Sequence, residues 1–159
     1  SDCISQNLII KKLTILQNVL RLDFKILSPK IAVLALNPHS GDNGLIGNQE
    51  IKFINPTLDI VKSKGIDVYG PFPADGFFAN NNHRNYDAIL AMYHDQGLIP
   101  FKILSQNEGV NFTAGLQIIR TSPDHGTGYD IAGKGIANPH SFENAITMAK
   151  DLFLNRILS

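Results

Sequence analysis

Ile31-Ala-Val-Leu-Ala-Leu-Asn-Pro-His39 is the stretch on which the fold turns. Its continuous apolar run predicts a strand buried on both faces, because a strand with one wet face would alternate, and Asn37-Pro38 breaks the run into a loop. Two later stretches repeat this form. Residues 66–69 are an apolar-rich strand candidate leading into Gly70-Pro-Phe-Pro-Ala-Asp75, and residues 87–92 lead into Tyr93-His-Asp-Gln-Gly97. Helical spacing lies around these strands. Residues 5–24 carry Leu8, Ile9, Leu13, Ile15, Leu16, Val19 and Leu20 at intervals near three and four, and residues 48–64 do so through Ile51, Ile54, Leu58 and Val61. Pro56 is expected to delay or bend that second helix and Gly65 to stop it. Further along come a helix over part of 96–104, short apolar runs at 110–113 and 116–120, and a glycine-rich stretch over 123–139. A last amphipathic helix is expected over 141–157, with Ser141 and Asn144 as capping candidates. Strands separated by helices specify an α/β fold, a mainly parallel sheet with helices on both faces.

The 159 residues suit one domain, and 14 basic and 14 acidic side chains cancel. With no Lys/Arg run longer than two, nothing supplies the basic footprint that nucleic-acid binding needs. Cys3 is the one cysteine, so no internal disulfide forms, and a reducing, cytoplasmic setting is expected. No apolar run approaches the ~20 residues that span a bilayer, so no membrane association is expected. The chain opens on Ser-Asp-Cys and not on methionine, as a chain that has lost preceding domains would.

In open α/β sheets ligands bind beyond the carboxyl ends of the strands, which singles out three of the five histidines. His39, His94 and His125 each follow an apolar run. Imidazole is a common ligand of divalent metals, and a catalytic ion typically takes three protein ligands. An ordinary loop histidine is the competing description of each, and no closely spaced ligand motif decides between them. Asp42, Asp75 and Asp95 lie near the same exits and could orient a ligand histidine or accept a proton; solvated turn carboxylates are the alternative, favoured for Asp42 by its Ser-Gly-Asp-Asn-Gly context. Lys102, Asn111 and Arg120 sit in or beside apolar stretches, where anion binding or a structural ion pair would explain them equally well. The glycines of 125–139 let backbone approach a nucleotide closely, yet their spacing is neither that of a Rossmann turn nor that of a P-loop.

The residues themselves are more specific than these patterns. Leu36-Asn-Pro-His-Ser-Gly, Gly70-Pro-Phe-Pro-Ala-Asp75, Ala91-Met-Tyr-His-Asp-Gln-Gly97, Gly109-Val-Asn-Phe-Thr113 and Ile119-Arg-Thr-Ser-Pro-Asp-His-Gly-Thr127 resemble, in this order, the 4-hydroxythreonine-4-phosphate dehydrogenases of vitamin B6 biosynthesis. The glycine-rich loop also resembles the NAD loop of isocitrate and isopropylmalate dehydrogenases. The resemblance therefore implies their fold, and His39 and His94 as two of three histidine ligands of one divalent ion (zinc, magnesium or cobalt) in a site shared between the subunits of a homodimer. It implies Asp75 and Asp95 as catalytic carboxylates, and Lys102, Asn111 and Arg120 as contacts to a phosphorylated hydroxy amino acid. It places His125, Gly126, Thr127, Asp130, Ala132, Gly133 and Asn138 at NAD or NADP, which makes His125 a cofactor neighbour instead of a metal ligand. The family's chain is about twice this length, so residues 1–159 are expected to be a single α/β domain, the C-terminal portion of a two-domain enzyme. The third histidine would belong to the absent N-terminal half, and the fragment alone would be inactive. Two other functions keep the motifs: a dehydrogenase of threonate or erythronate 4-phosphate, and a noncatalytic metal- or nucleotide-binding dimerisation module.

Overall fold

The computed structural model describes residues 3–106 and 108–158. β1 (Ile31–Leu34) is buried at every residue and pairs in parallel with β2 (Val68–Phe72) and β3 (Ala88–Leu90), giving the order β2-β1-β3. Because successive strand residues point to opposite faces, Ile31 and Val33 enter one apolar layer and Ala32 and Leu34 the other. The first layer is closed by Ile9, Leu13 and Leu20 of α1 (Gln6–Leu22) and by Leu58 and Val61 of α2 (Asn55–Ser63). The second is closed by Phe77 of α3 (Ala74–Ala79), which stacks on Phe72 at a centroid distance of 5.2 Å. A sheet covered on both faces is what the unbroken apolar run of β1 requires.

Local chemistry places the helix ends. Ser5 caps α1 by accepting from the Leu8 N–H, and α2 stops at Gly65, which takes φ +83°. Pro56 lies in the first turn of α2, where its missing N–H costs nothing, and the predicted single helix is divided there into a π-helical turn (Glu50–Ile54) and α2. Gly70 takes φ +126°, and a Cβ there would overlap the Val33 carbonyl, so the approach of β2 to β1 admits only glycine.

Beyond β3 the structure departs from the pattern. β4 (Val110–Phe112) and β5 (Thr121–Pro123) form a separate antiparallel ribbon and do not extend the parallel sheet. Residues 116–120, an expected apolar run, are the link between them. A link this short can only return antiparallel, since a parallel return needs a crossover of about a dozen residues or more. α4 (His94–Ser105) starts at His94, earlier than the expected 96. α5 (His140–Ile157) has no side-chain cap; the Ser141 hydroxyl instead donates to the Gly109 carbonyl at 2.6 Å and accepts from the Asp124 N–H at 3.0 Å. Asn144 likewise donates to the Glu108 carbonyl, so both capping candidates fasten α5 to the ribbon. Among the described residues no helix is long and apolar enough to cross a membrane.

The ribbon half is locked to the sheet half at Asp23. Its nearly buried carboxylate accepts from Arg156 Nε at 2.7 Å and Nη2 at 2.8 Å, while Asn155 donates to its carbonyl. The hydrogen bond to Asp23 raises the Arg156 guanidinium above its already high pKa. Asp23→Ala is expected to cost about 2 kcal/mol, less than a fully buried pair because Arg156 keeps some access to water. Urea unfolding measures it; an unchanged midpoint would show that the pair contributes nothing.

Candidate functional site

The three parallel strands end on one edge of the sheet, and four of the expected site residues follow those ends. His39 leaves the central strand β1, Asp75 stands in the first turn of α3 after β2, and His94 and Asp95 open α4 after β3. All four are exposed. The strand-exit argument holds for His39 and His94 but not for His125, which follows a strand of the antiparallel ribbon.

The His39 loop is unusual backbone. His39, Ser40, Gly41, Asp42 and Asn43 all take left-handed φ, at 52°, 52°, 82°, 43° and 53°. Each non-glycine residue in that region costs about 1–2 kcal/mol, so the turn persists because its surroundings hold it. Glu50, 2% exposed, is the anchor: its carboxylate accepts from the Leu36 N–H at 2.9 Å, the Asn37 N–H at 2.8 Å and the Asn37 side-chain amide at 2.8 Å. Gly41 is pressed against the Gly47 carbonyl and Glu50, with no room for a side chain. The Ser40 hydroxyl donates to the Pro71 carbonyl at 3.1 Å, tying this turn to the end of β2, four residues before Asp75.

His94 is oriented from within its own helix. Its Nδ1 lies 2.8 Å from Asp95 Oδ1, which leaves Nε2 for a ligand, the arrangement in which a carboxylate fixes the tautomer of a metal-binding imidazole. His39 and His94 follow neighbouring parallel strands, and both are imidazoles, a donor type that divalent ions take. Among the described residues no group of three or more His, Cys, Asp or Glu converges into a metal cage.

The second region is a cavity of about 730 Å³ between α4, the ribbon and the start of α5. His125, Gly126, Thr127, Asp130, Ala132, Gly133 and Asn138, all seven expected dinucleotide neighbours, line it, as does Lys102. Gly128, Gly133 and Gly135 take positive φ, and no atom lies within 4 Å of where a Cβ would stand on Gly126, Gly133 or Gly135. Its volume lies within the ~300–1,000 Å³ of small-molecule sites.

Lys102, Asn111 and Arg120 are not buried, so the cost of burial in an apolar stretch does not explain them. Lys102 Nζ pairs with Asp124 Oδ2 at 2.8 Å on the cavity wall, Asn111 faces Ser122 across the ribbon, and Arg120 donates to Thr113 Oγ1 at 3.0 Å. Only Lys102 of the three lines the cavity.

A family model described as pyridoxal phosphate biosynthetic protein PdxA matches residues 1–149. The chain belongs to the PdxA family. A 4-hydroxythreonine-4-phosphate dehydrogenase of Bacteroides thetaiotaomicron is 55% identical over 153 residues, 96% of this chain and 42% of the relative. A D-threonate 4-phosphate dehydrogenase of Pectobacterium atrosepticum is 52% identical over 124 residues, 78% of this chain and 38% of the relative. The crystal structure of the Klebsiella pneumoniae 4-hydroxythreonine-4-phosphate dehydrogenase superposes with a TM-score of 0.80 at 41% identity, covering 95% of this chain and 46% of that one. The chain thus spans less than half the length of these PdxA-type relatives.

Sequence reasoning passed over Glu50, Gln96 and Asp124. Glu50 had a signal: it stands four residues before Ile54 and eight before Leu58, a charged residue on the buried stripe of a predicted helix. Asp124 had none, because its partner Lys102 is distant in sequence.

Proposed function

We propose that this chain is the metal- and nucleotide-binding portion of an NAD- or NADP-dependent 4-hydroxythreonine-4-phosphate dehydrogenase with the isocitrate and isopropylmalate dehydrogenase fold. The enzyme oxidises 4-phosphooxy-L-threonine to 2-amino-3-oxo-4-phosphooxybutanoate, which loses carbon dioxide to give 3-amino-2-oxopropyl phosphate. The observation that carries this reading is the cavity that gathers all seven expected dinucleotide neighbours and Lys102.

His39 and His94 would hold the divalent ion, zinc, magnesium or cobalt, completed by a histidine outside this chain. When bound, the ion would supply Lewis acidity and the nicotinamide a hydride acceptor. Asp95 keeps His94 in the tautomer that presents Nε2. Asp75 and Asp95 are the carboxylates at the strand edge for the proton of the substrate hydroxyl. Lys102, Asn111 and Arg120 hold the phosphate and carboxylate, Arg120 with a planar fork suited to two-point contact. Asp124 keeps the Lys102 ammonium at the cavity wall, so its charge is already in place when the anion arrives. The oxidised product is a 3-oxo acid, in which the electron pair of the breaking carbon–carbon bond passes toward the ketone. A homodimer sharing each site between subunits would supply the remaining groups.

A second reading, oxidation of threonate 4-phosphate, is favoured by the Pectobacterium relative. The two substrates differ in an amino or hydroxyl group at C2. Full-length enzyme given each substrate, with reduced nicotinamide followed by absorbance, is expected to show about 100-fold higher kcat/KM for the amino acid. The reverse ratio selects the sister activity, and turnover of neither selects a noncatalytic module. The 159-residue chain alone is expected to turn over neither.

A further inference from the structure

We infer that Gln96 is the positioning residue that sets the separation of the His39 and His94 loops, an inference that rests on the metal reading above. The β1–β3 ladder has its last register pair at Val33 and Leu90, and each chain then runs on toward its histidine. Gln96 spans the gap. Its Oε1 accepts from the Met92 N–H at 3.0 Å and the Tyr93 N–H at 3.1 Å, and its Nε2 donates to the Ala35 carbonyl at 2.9 Å. One side chain therefore fastens the β3 exit, two residues before His94, to the β1 exit, four residues before His39.

The chemistry needs this residue type. Two backbone donors must meet an acceptor and one carbonyl must meet a donor, which a primary amide does with its two ends. Glutamate has the same shape but would set an oxygen against the Ala35 carbonyl; leucine satisfies none of the three. Gln96 makes its contacts as the third residue of α4, so the strut also fixes the direction in which the helix leaves and hence where the His94 ring stands. The β1 side is rigid because Glu50 holds the next two N–H groups, those of Leu36 and Asn37. A strut between two ligand-bearing loops acts on metal affinity through ligand placement without touching the ion.

The test is cobalt(II) titration of the full-length protein by calorimetry, together with the visible absorption of the bound ion, which reports ligand geometry. Gln96→Glu and Gln96→Leu are expected to weaken cobalt binding about 10- to 100-fold and to shift the absorption bands. The metal-free variants should melt within a few degrees of the parent. If the leucine variant does not fold, the glutamate variant, which keeps both acceptor contacts, decides alone. Parent-like affinity and spectrum in Gln96→Glu would overturn the strut while leaving the metal reading intact, provided His39→Ala and His94→Ala lose cobalt. A parent that binds no cobalt, or histidine variants that bind it unchanged, would overturn the metal reading and the strut with it.

Discussion

Replacing Glu50 by leucine is expected to destabilise the protein by about 3 kcal/mol, although no charged partner of Glu50 is seen among the described residues. The carboxylate is 2% exposed and occupied by two backbone N–H groups and one side-chain amide. Leucine fills the volume but strands those donors, and each buried donor left without a partner costs about 1–3 kcal/mol. Part of the loss is offset because leucine carries no charge to desolvate, which is why the sum of the three is not expected in full. Glu50→Gln keeps one carbonyl oxygen for the backbone donors and should lose about half as much. Thermal unfolding checks this: a loss of that size lowers Tm by roughly 6–12 °C in a protein of this length, and a leucine variant melting with the parent would refute the anchor. The left-handed turn that carries His39 should loosen first, since the anchored segment ends at Asn37, immediately before it.

His39→Ala and His94→Ala in the full-length enzyme are each expected to lower activity by more than about 100-fold, a greater loss than changes to the groups that orient metal ligands cause. Bound metal, measured by elemental analysis, should fall in parallel. Neither effect should come from unfolding. The His94 ring is 79% exposed, so its removal opens no cavity. His39 is also exposed, but its φ of 52° makes alanine there cost about 1 kcal/mol, because histidine is better tolerated than alanine in left-handed backbone. His94→Ala should therefore keep the parental Tm and His39→Ala should lose a few degrees. Full metal content in either variant would remove that residue from the site.

The two substitutions illustrate what kind of information each part of the site carried. His39 and His94 were legible because they follow strands that announce themselves as unbroken apolar runs, and a strand exit is a property of adjacent residues. The burial argument for Lys102, Asn111 and Arg120 fails, since all three are exposed. Lys102 nonetheless lines the cavity with the glycine-rich loop, a contact between an α4 residue and residues more than twenty positions later.

By itself the sequence determined the α/β class, the three strand segments of the parallel sheet, the late start of α2 near Pro56 and its stop at Gly65, and the family, because these depend on local periodicity, on backbone preference and on motifs read in order. Only the tertiary structure decided that residues 110–123 form a separate ribbon, that Ser141 and Asn144 are fasteners and not caps, and that Asp23 meets Arg156. It alone showed that Glu50 accepts from the Leu36 and Asn37 N–H groups and that Gln96 joins the Ala35 carbonyl to the Met92 and Tyr93 N–H groups. The reason is physical: a polar side chain chooses its partner by proximity after folding, and partners such as Gln96 and Ala35, 61 residues apart, leave no periodic trace along the chain.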